Sequence, residues 1–167
     1  MKWYSGFVTA LLLVGPPVYA QTSFDRKIAA SVVKLECMEP SEEKPVTLVA
    51  ATVVERDSVA VIVKTRIAAG WHIYQYVPAT APYIPIELIL KLPKNLTGIG
   101  KWEMTRATPS VHDKGVMIYE REALFVRKAL KTAEVTGAIT AGLYYQTCNL
   151  RQCLQPVEET FELTLKE

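Results

Sequence analysis

From residue 46 onward, hydrophobic positions recur at every second residue. Val59, Val61, Val63, Thr65 and Ile67 alternate with Ala60, Ile62, Lys64 and Arg66, and near the C-terminus Phe161, Leu163 and Leu165 alternate with Glu162, Thr164 and Lys166. A period of two sends successive side chains to opposite faces of a pleated backbone, so both segments read as β-strands, the last one half exposed. Six further segments, PVTLVAATVVE, GWHIYQYV, IPIELILKL, GVMIYE, ALFVRKAL and GAITAGLYYQT, are rich in β-branched or aromatic residues and bounded by Gly, Pro, Asp or Asn. About eight closely spaced strands predict an all-β chain folded as an antiparallel sandwich. The segment SFDRKIAASVVKLECMEP fits either a short helix or a first strand, and PSEEKP reads as a polar turn. No repeat, low-complexity tract or linker divides the chain, which reads as one domain.

The first residues follow another pattern. MKWYSGFVTALLLVGPPVYAQ carries a basic Lys2, an apolar run from Phe7 to Gly15, helix-breaking Pro16 and Pro17, and a small-residue end at Ala20. This is the layout of a cleavable export signal, expected to span residues 1–20 and to leave residues 21–167 as the domain. The apolar run is about half of the roughly 18 to 20 residues a membrane span needs. Glu55-Arg56-Asp57 interrupts the next apolar stretch, so no span is expected after cleavage. A chain of 167 residues that is 50% hydrophobic and 22% charged has globular composition and enough length to bury a core. Once Lys2 is cut away, 18 basic residues face 17 acidic ones without long single-sign runs, which argues against a nucleic-acid partner.

Export gives the cysteines their importance, because paired thiols outside the cytoplasm are normally bridged. There are three: Cys37, Cys148 and Cys153. A structural zinc site needs four ligands, generally two pairs, and here His72 and His112 would have to join a single pair by coincidence of folding, so no metal is expected. A thioredoxin-type motif would have two residues between its cysteines and a helix starting at the first. In TCNLRQC four residues intervene, and the alternating segment VEETFELTL follows Pro156. The pair therefore reads as the mouth of a hairpin, with Cys148 ending one strand, NLRQ turning, and Cys153 opening the next. Opposed antiparallel positions lie about 4.5 to 5.5 Å apart, near the short end of disulfide geometry. Closing so short a loop stabilises a fold by only about 2 kcal/mol, against about 4.7 for a 100-residue loop. These arguments leave a structural staple and a redox pair both open.

The surrounding residues carry a resemblance. GVMIYEREALFVRKAL followed by GAITAGLYYQTCNLRQCLQPVEETFELTL, together with AAGWHIYQYVP upstream, resembles the N-terminal periplasmic domain of the DsbD disulfide reductases over residues 46–166. The Tyr145-Gln146 to Pro156 segment is its most specific part. The resemblance implies a periplasmic, immunoglobulin-like β-sandwich that passes electrons through Cys148 and Cys153 to thioredoxin-like oxidoreductases, without a cofactor. Cys153 would form the mixed disulfide with a partner and Cys148 would resolve it, while a separate transmembrane thiol transporter would supply electrons. The alternative from a different class is a non-catalytic binding or assembly domain stapled by the same bridge.

Four residues stand between the cysteines where the family has five, and the family's aromatic cap loop is matched here by PSVHDKGVMIYE. In that loop Asp113 would disfavour a nearby thiolate, and a protonated His112 or Lys114 would favour one. A solvated polar turn is the plainer reading. Strand alternation puts His72 and Tyr74 on one face and Trp71 in the core, and Tyr74 is the stronger candidate to line the site. The same alternation puts Tyr144, Gln146 and Cys148 on one face, with Tyr145 pointing inward. Cys37 reads as a buried inert thiol, with an intermolecular disulfide as the sharper alternative.

Overall fold

The computed structural model describes residues 22–165; the expected signal segment lies outside them. The ambiguous N-terminal stretch is a helix, α1 (Ser23–Lys34). Its start is fixed by a capping box: Thr22 Oγ1 accepts from the Asp25 amide at 3.1 Å, and an Asp25 carboxylate oxygen accepts from the Thr22 amide at 3.3 Å. Such a box satisfies two amides that the first turn would otherwise leave unpaired. Phe24, Ile28 and Val32 recur at intervals of four, which makes one apolar stripe.

Among the described residues eleven strands follow: β1 (Val46–Glu55), β2 (Ser58–Ile67), β3 (His72–Tyr76), β4 (Glu87–Lys91), β5 (Leu96–Met104), β6 (Thr108–Pro109), β7 (Met117–Tyr119), β8 (Glu122–Lys131), β9 (Ile139–Tyr145), β10 (Thr147–Cys148) and β11 (Val157–Leu163). All strand ladders are antiparallel. One sheet runs β1-β2-β8-β5, a second β11-β9-β4, and a third, smaller one β10-β3-β7-β6. The polar break at Arg56-Asp57 is the β1–β2 turn, with Arg56 at φ 57° and Glu55 opposite Ser58.

The first two sheets enclose the main core. Val59, Val61, Val63 and Phe125 come from one, Ile139, Ala141 and Leu143 from the other, and all seven are fully buried. The opposite face of β2 is also apolar as far as Lys64. Ala60 and Ile62 meet the α1 stripe there, with Val53 and Val126 beside them. The architecture is the all-β, immunoglobulin-like sandwich expected from the sequence, with one helix laid on the outside. No helix among the described residues is long and apolar enough to cross a membrane.

The strands that periodicity does not reveal are β5, β6 and β10. In β5, LTGIGKWEM, two glycines dilute the pattern. Gly100 has φ 67°, and the pairing with β8 shifts register between Ile99 and Glu103, so the glycine marks a bulge on an edge strand.

Gly142, in the middle strand of its sheet, has a different role. A Cβ there would run into the Glu159 carbonyl oxygen and lie 2.7 Å from Thr160 Cα, backbone atoms that cannot rotate aside. We expect Gly142→Ala to cost about 1–3 kcal/mol, read by urea denaturation, through overpacking.

The helix is tied down by charge as well as by packing. Lys128 Nζ sits 2.8 Å from Asp25 and 2.9 Å from Glu103, joining α1 to β8 and β5. The hydrogen bond from Lys128 and the one from Thr22 hold the Asp25 carboxyl at about 2, below the ordinary 3.8. A depressed carboxylate stabilises the fold above its unfolded pKa and loses that contribution as pH falls through the folded value. The grip on α1 should therefore be complete above about pH 4 and fail toward pH 2. Amide exchange in α1 measured across that range should accelerate, and Asp25→Asn should abolish the pH dependence.

Candidate functional site: a cysteine cavity at the small sheet

The third sheet lies where the main strands run out. After β2 the chain turns through Gly70, buries Trp71 in the main core and enters β3. From there His72 and Tyr74 project to one side, into a cavity of about 330 Å³ that they line together with Cys148, Cys153, Tyr83, His112 and Asp113.

Cys148 reaches this cavity because the chain changes sheets. β9 ends at Tyr145, whose side chain is buried in the main core, and after one intervening residue the chain pairs with β3, Thr147 opposite Ile73 and Cys148 opposite His72. Gln146 stands at the switch. Its Oε1 accepts from the Ile84 amide at 3.1 Å and its Nε2 donates to the Leu154 carbonyl at 3.5 Å, which pins the loop before β4 to the cysteine segment.

Cys148 and Cys153 are disulfide-bonded, five positions apart in sequence, with Cα atoms 4.0 Å apart. Asn149 organises the loop between them. Its Oδ1 accepts from the Arg151 amide at 2.8 Å and the Gln152 amide at 2.9 Å, while its own amide donates to the Gln152 carbonyl at 2.9 Å. This is an Asx turn, in which a short side chain substitutes for backbone in closing a tight loop. Beyond it, the Leu154 amide donates to the Thr147 carbonyl at 2.9 Å. Cys153 makes a single bridge to Cys148 and does not open a strand; β11 starts at Val157 and belongs to another sheet. The two cysteines differ sharply in access. Cys148 is 1% exposed, whereas Cys153 is exposed at the cavity mouth, flanked there by Leu150 at 74% and Val111 at 89% exposure.

Behind the disulfide lies a bonded aromatic wall. His72 Nε2 and the Tyr74 hydroxyl are 3.1 Å apart, and Tyr74 stacks on Tyr83 with centroids at 4.7 Å and planes 10° apart. The Tyr83 hydroxyl donates to Asp113 at 3.1 Å. The other Asp113 oxygen accepts from Ser110 Oγ at 3.4 Å, and Ser110 Oγ in turn accepts from the His112 and Asp113 amides. Burial pushes Tyr74 far above the ordinary phenol range, and the Asp113 bond, with a smaller contribution from burial, pushes Tyr83 up. Burial pushes His72 down against the pull of Glu120 and Asp113, so the imidazole is neutral at pH 7.

Of the residues singled out from sequence, the cavity gathers Cys148, Cys153, His72, Tyr74, His112 and Asp113. Gln146 stands behind them as a strap, not on the cavity wall. Tyr144 is elsewhere, on β9 between Glu87 and Glu158, because the alternation does not continue across the switch at Gln146. Tyr83, Ser110 and Asn149 join the site without a mark in the periodicity. Tyr83 sits in APYIP, where the two prolines signal loop and mask the aromatic between them; an Asn directly after Cys148 was the available signal for the turn. Cys37 is half-buried rather than buried, its Sγ donating to the Lys64 carbonyl at 3.4 Å, and burial pushes its thiol up. No group of three or more potential metal ligands occurs among the described residues.

An antiparallel sandwich with a half-accessible cysteine pair set among aromatic residues defines the class as a thiol-bearing immunoglobulin-like domain. The family model described as "Thiol:disulfide interchange protein DsbD, N-terminal" matches residues 40–165, and the chain belongs to that family. Among solved structures it is similar to the reduced DsbD N-terminal domain of Neisseria meningitidis, at 21% identity over 78% of this chain and 92% of that one, TM-score 0.48. It is also similar to the N-terminal periplasmic domain of ScsB from Proteus mirabilis, at 14% identity over 76% of this chain and 49% of that one, TM-score 0.52. A third match is to the complex between the DsbD and PilB N-terminal domains of Neisseria meningitidis, at 22% identity over 75% and 86%, TM-score 0.44. Comparison with curated proteins gives no match. Helix α1 lies ahead of the matched residues.

The Gln146 strap can be tested directly. Gln146→Leu removes both of its hydrogen bonds and leaves the Ile84 amide without its partner, a loss of about 1–3 kcal/mol. Exchange of the Ile84 amide should accelerate in that variant while amides of β2 keep their protection.

Proposed function

We propose that this domain is a periplasmic thiol-disulfide exchange module that passes electrons between a thioredoxin-like protein and a membrane-embedded thiol transporter. The observation that carries the reading is the unequal access of the two sulfurs. An exchange centre needs one sulfur that a partner can reach and a second held close but protected, so that the mixed disulfide forms at one atom and is resolved by the other. Exposed Cys153 and buried Cys148 answer that requirement. Family membership supports the reading, as does the association of a DsbD N-terminal domain with a PilB N-terminal domain in the solved complex. Leu150 and Val111 beside Cys153 give a protein partner an apolar rim to seat on.

In the reducing direction the Cys153 thiolate attacks a partner disulfide, forming the mixed disulfide and releasing one partner thiolate. Cys148 then attacks Cys153, closing the intramolecular bridge and releasing the second. The partner gains two electrons, and the transporter restores them to the domain. In this role the export signal at residues 1–20 delivers the domain to the compartment where such partners reside.

With Cys148→Ala, Cys153 should accumulate as a mixed disulfide with a thioredoxin-like protein presented in its disulfide form; Cys153→Ala should trap none. The wild-type pair should have a reduction potential above about −300 mV, measured against a glutathione buffer. A value well below that marks a structural staple and favours the non-catalytic binding domain.

A further inference from the structure

Closing the bridge needs a proton acceptor. Once Cys153 holds a partner sulfur, Cys148 must lose its thiol proton before it can attack, because the thiolate is the nucleophile. Cys148 is 1% exposed, and burial away from water disfavours its thiolate. A base on the cavity wall would supply that acceptor beside the buried sulfur.

Most groups there are unsuited. Tyr74 and Tyr83 are held protonated, Tyr74 chiefly by burial and Tyr83 chiefly by its bond to Asp113. Asp113 has one oxygen engaged by Tyr83 and the other by Ser110. Glu120 and His112 stand at the solvent-exposed rim. His72 is half-buried, lies directly across the strand pair from Cys148, and is oriented by its hydrogen bond to the Tyr74 hydroxyl. The charged and titratable groups around it come from several elements: Glu120 after β7, Asp113 and His112 in the β6–β7 loop, and Tyr74 on β3. Glu120 and Asp113 favour imidazolium, His112 opposes it, and burial outweighs them in keeping the ring neutral.

We propose that His72 accepts the Cys148 proton in the step that closes the disulfide, a role that rests on the exchange reading above. In the tautomer whose Nε2–H donates to the Tyr74 oxygen, Nδ1 bears the lone pair that receives the proton. The Cys148 thiolate attacks Cys153 Sγ, the Cys148–Cys153 bond forms, and the bond from Cys153 to the partner breaks. The electron pair of that bond leaves with the partner sulfur, and imidazolium returns its proton to the departing thiolate. Two domain thiols are oxidised, one partner disulfide is reduced, and His72 ends neutral.

The reduced domain mixed with oxidised glutathione separates the steps, since the mixed disulfide at Cys153 and its closure can be followed by acid quench and mass spectrometry. In the wild type the closure rate should rise with pH to a plateau, with its midpoint below the ordinary histidine value of 6.5. His72→Gln keeps an amide donor for Tyr74 but cannot take the proton. Closure at pH 7 should slow by at least about 10-fold, within the range of general-base effects, and should climb with pH without that plateau. The first step, at Cys153, should change far less, and His72→Phe should behave as His72→Gln does, with near-ultraviolet circular dichroism reporting an intact fold. Closure in His72→Gln with wild-type rate and pH profile overturns the role of His72, as does an equal slowing of both steps. If Cys148→Ala, in which closure cannot follow, forms no mixed disulfide with glutathione at Cys153, the exchange reading fails and the His72 role falls with it.

Discussion

Five consecutive side chains of β2, Val59 to Val63, have no solvent exposure. A strand with two apolar faces is stable only when both are covered, and the rest of the domain is organised around that demand. One face is covered by β9 and the strands beside it, which makes the sandwich. The other is covered by α1, which is why a helix lies against an otherwise all-β fold. Lys64, where β2 turns polar, secures the arrangement by donating to the Leu35 carbonyl at the end of the helix at 3.1 Å. With β2 immobilised on both sides, the strand that follows it, β3, leaves the core from a fixed point and carries His72 and Tyr74 to the cysteines.

The catalytic candidates therefore do not sit on long loops. His72 and Tyr74 are on a strand, Cys148 is its ladder neighbour, and Asp113 is held by Ser110 and Tyr83. Placing His72 and Cys148 on paired strands fixes their separation more tightly than loops would, as the proposed reaction would need, while Cys153 is held by the bridge and the Asn149 turn. The parts left exposed, Leu150, Val111 and Cys153, are those a partner would meet first.

Much of this was legible in the sequence, and the illegible parts have definite physical causes. Period two revealed the strands with one polar and one apolar face, and β2 as well, because Lys64 and Arg66 keep the alternation visible at its end. It could not reveal β5, where glycines and a bulge break the pattern, or β6 and β10, two residues each and too short to have a period. The helix was ambiguous because its apolar stripe is three residues wide; the capping pattern Thr22-x-x-Asp25 held the answer. At the site, alternation placed His72 and Tyr74 on one face, as the cavity shows, since β3 is continuous there. It misplaced Tyr144 because periodicity assumes one strand, and the chain changes sheets at Gln146. The exposure difference between the cysteines depends on tertiary packing and has no signature in TCNLRQC itself.

The Asn149 turn has one more consequence. Its hydrogen bonds, and the one from the Leu154 amide to the Thr147 carbonyl, involve no sulfur, so they brace the loop independently of the bridge between the cysteines. Each sulfur thus faces the other at a high effective molarity, the advantage an intramolecular nucleophile holds over any in free solution. In the exchange proposed above, a bond that Cys153 made with a foreign thiol would consequently be short-lived by construction, and the domain would let go of a partner as readily as it engaged one.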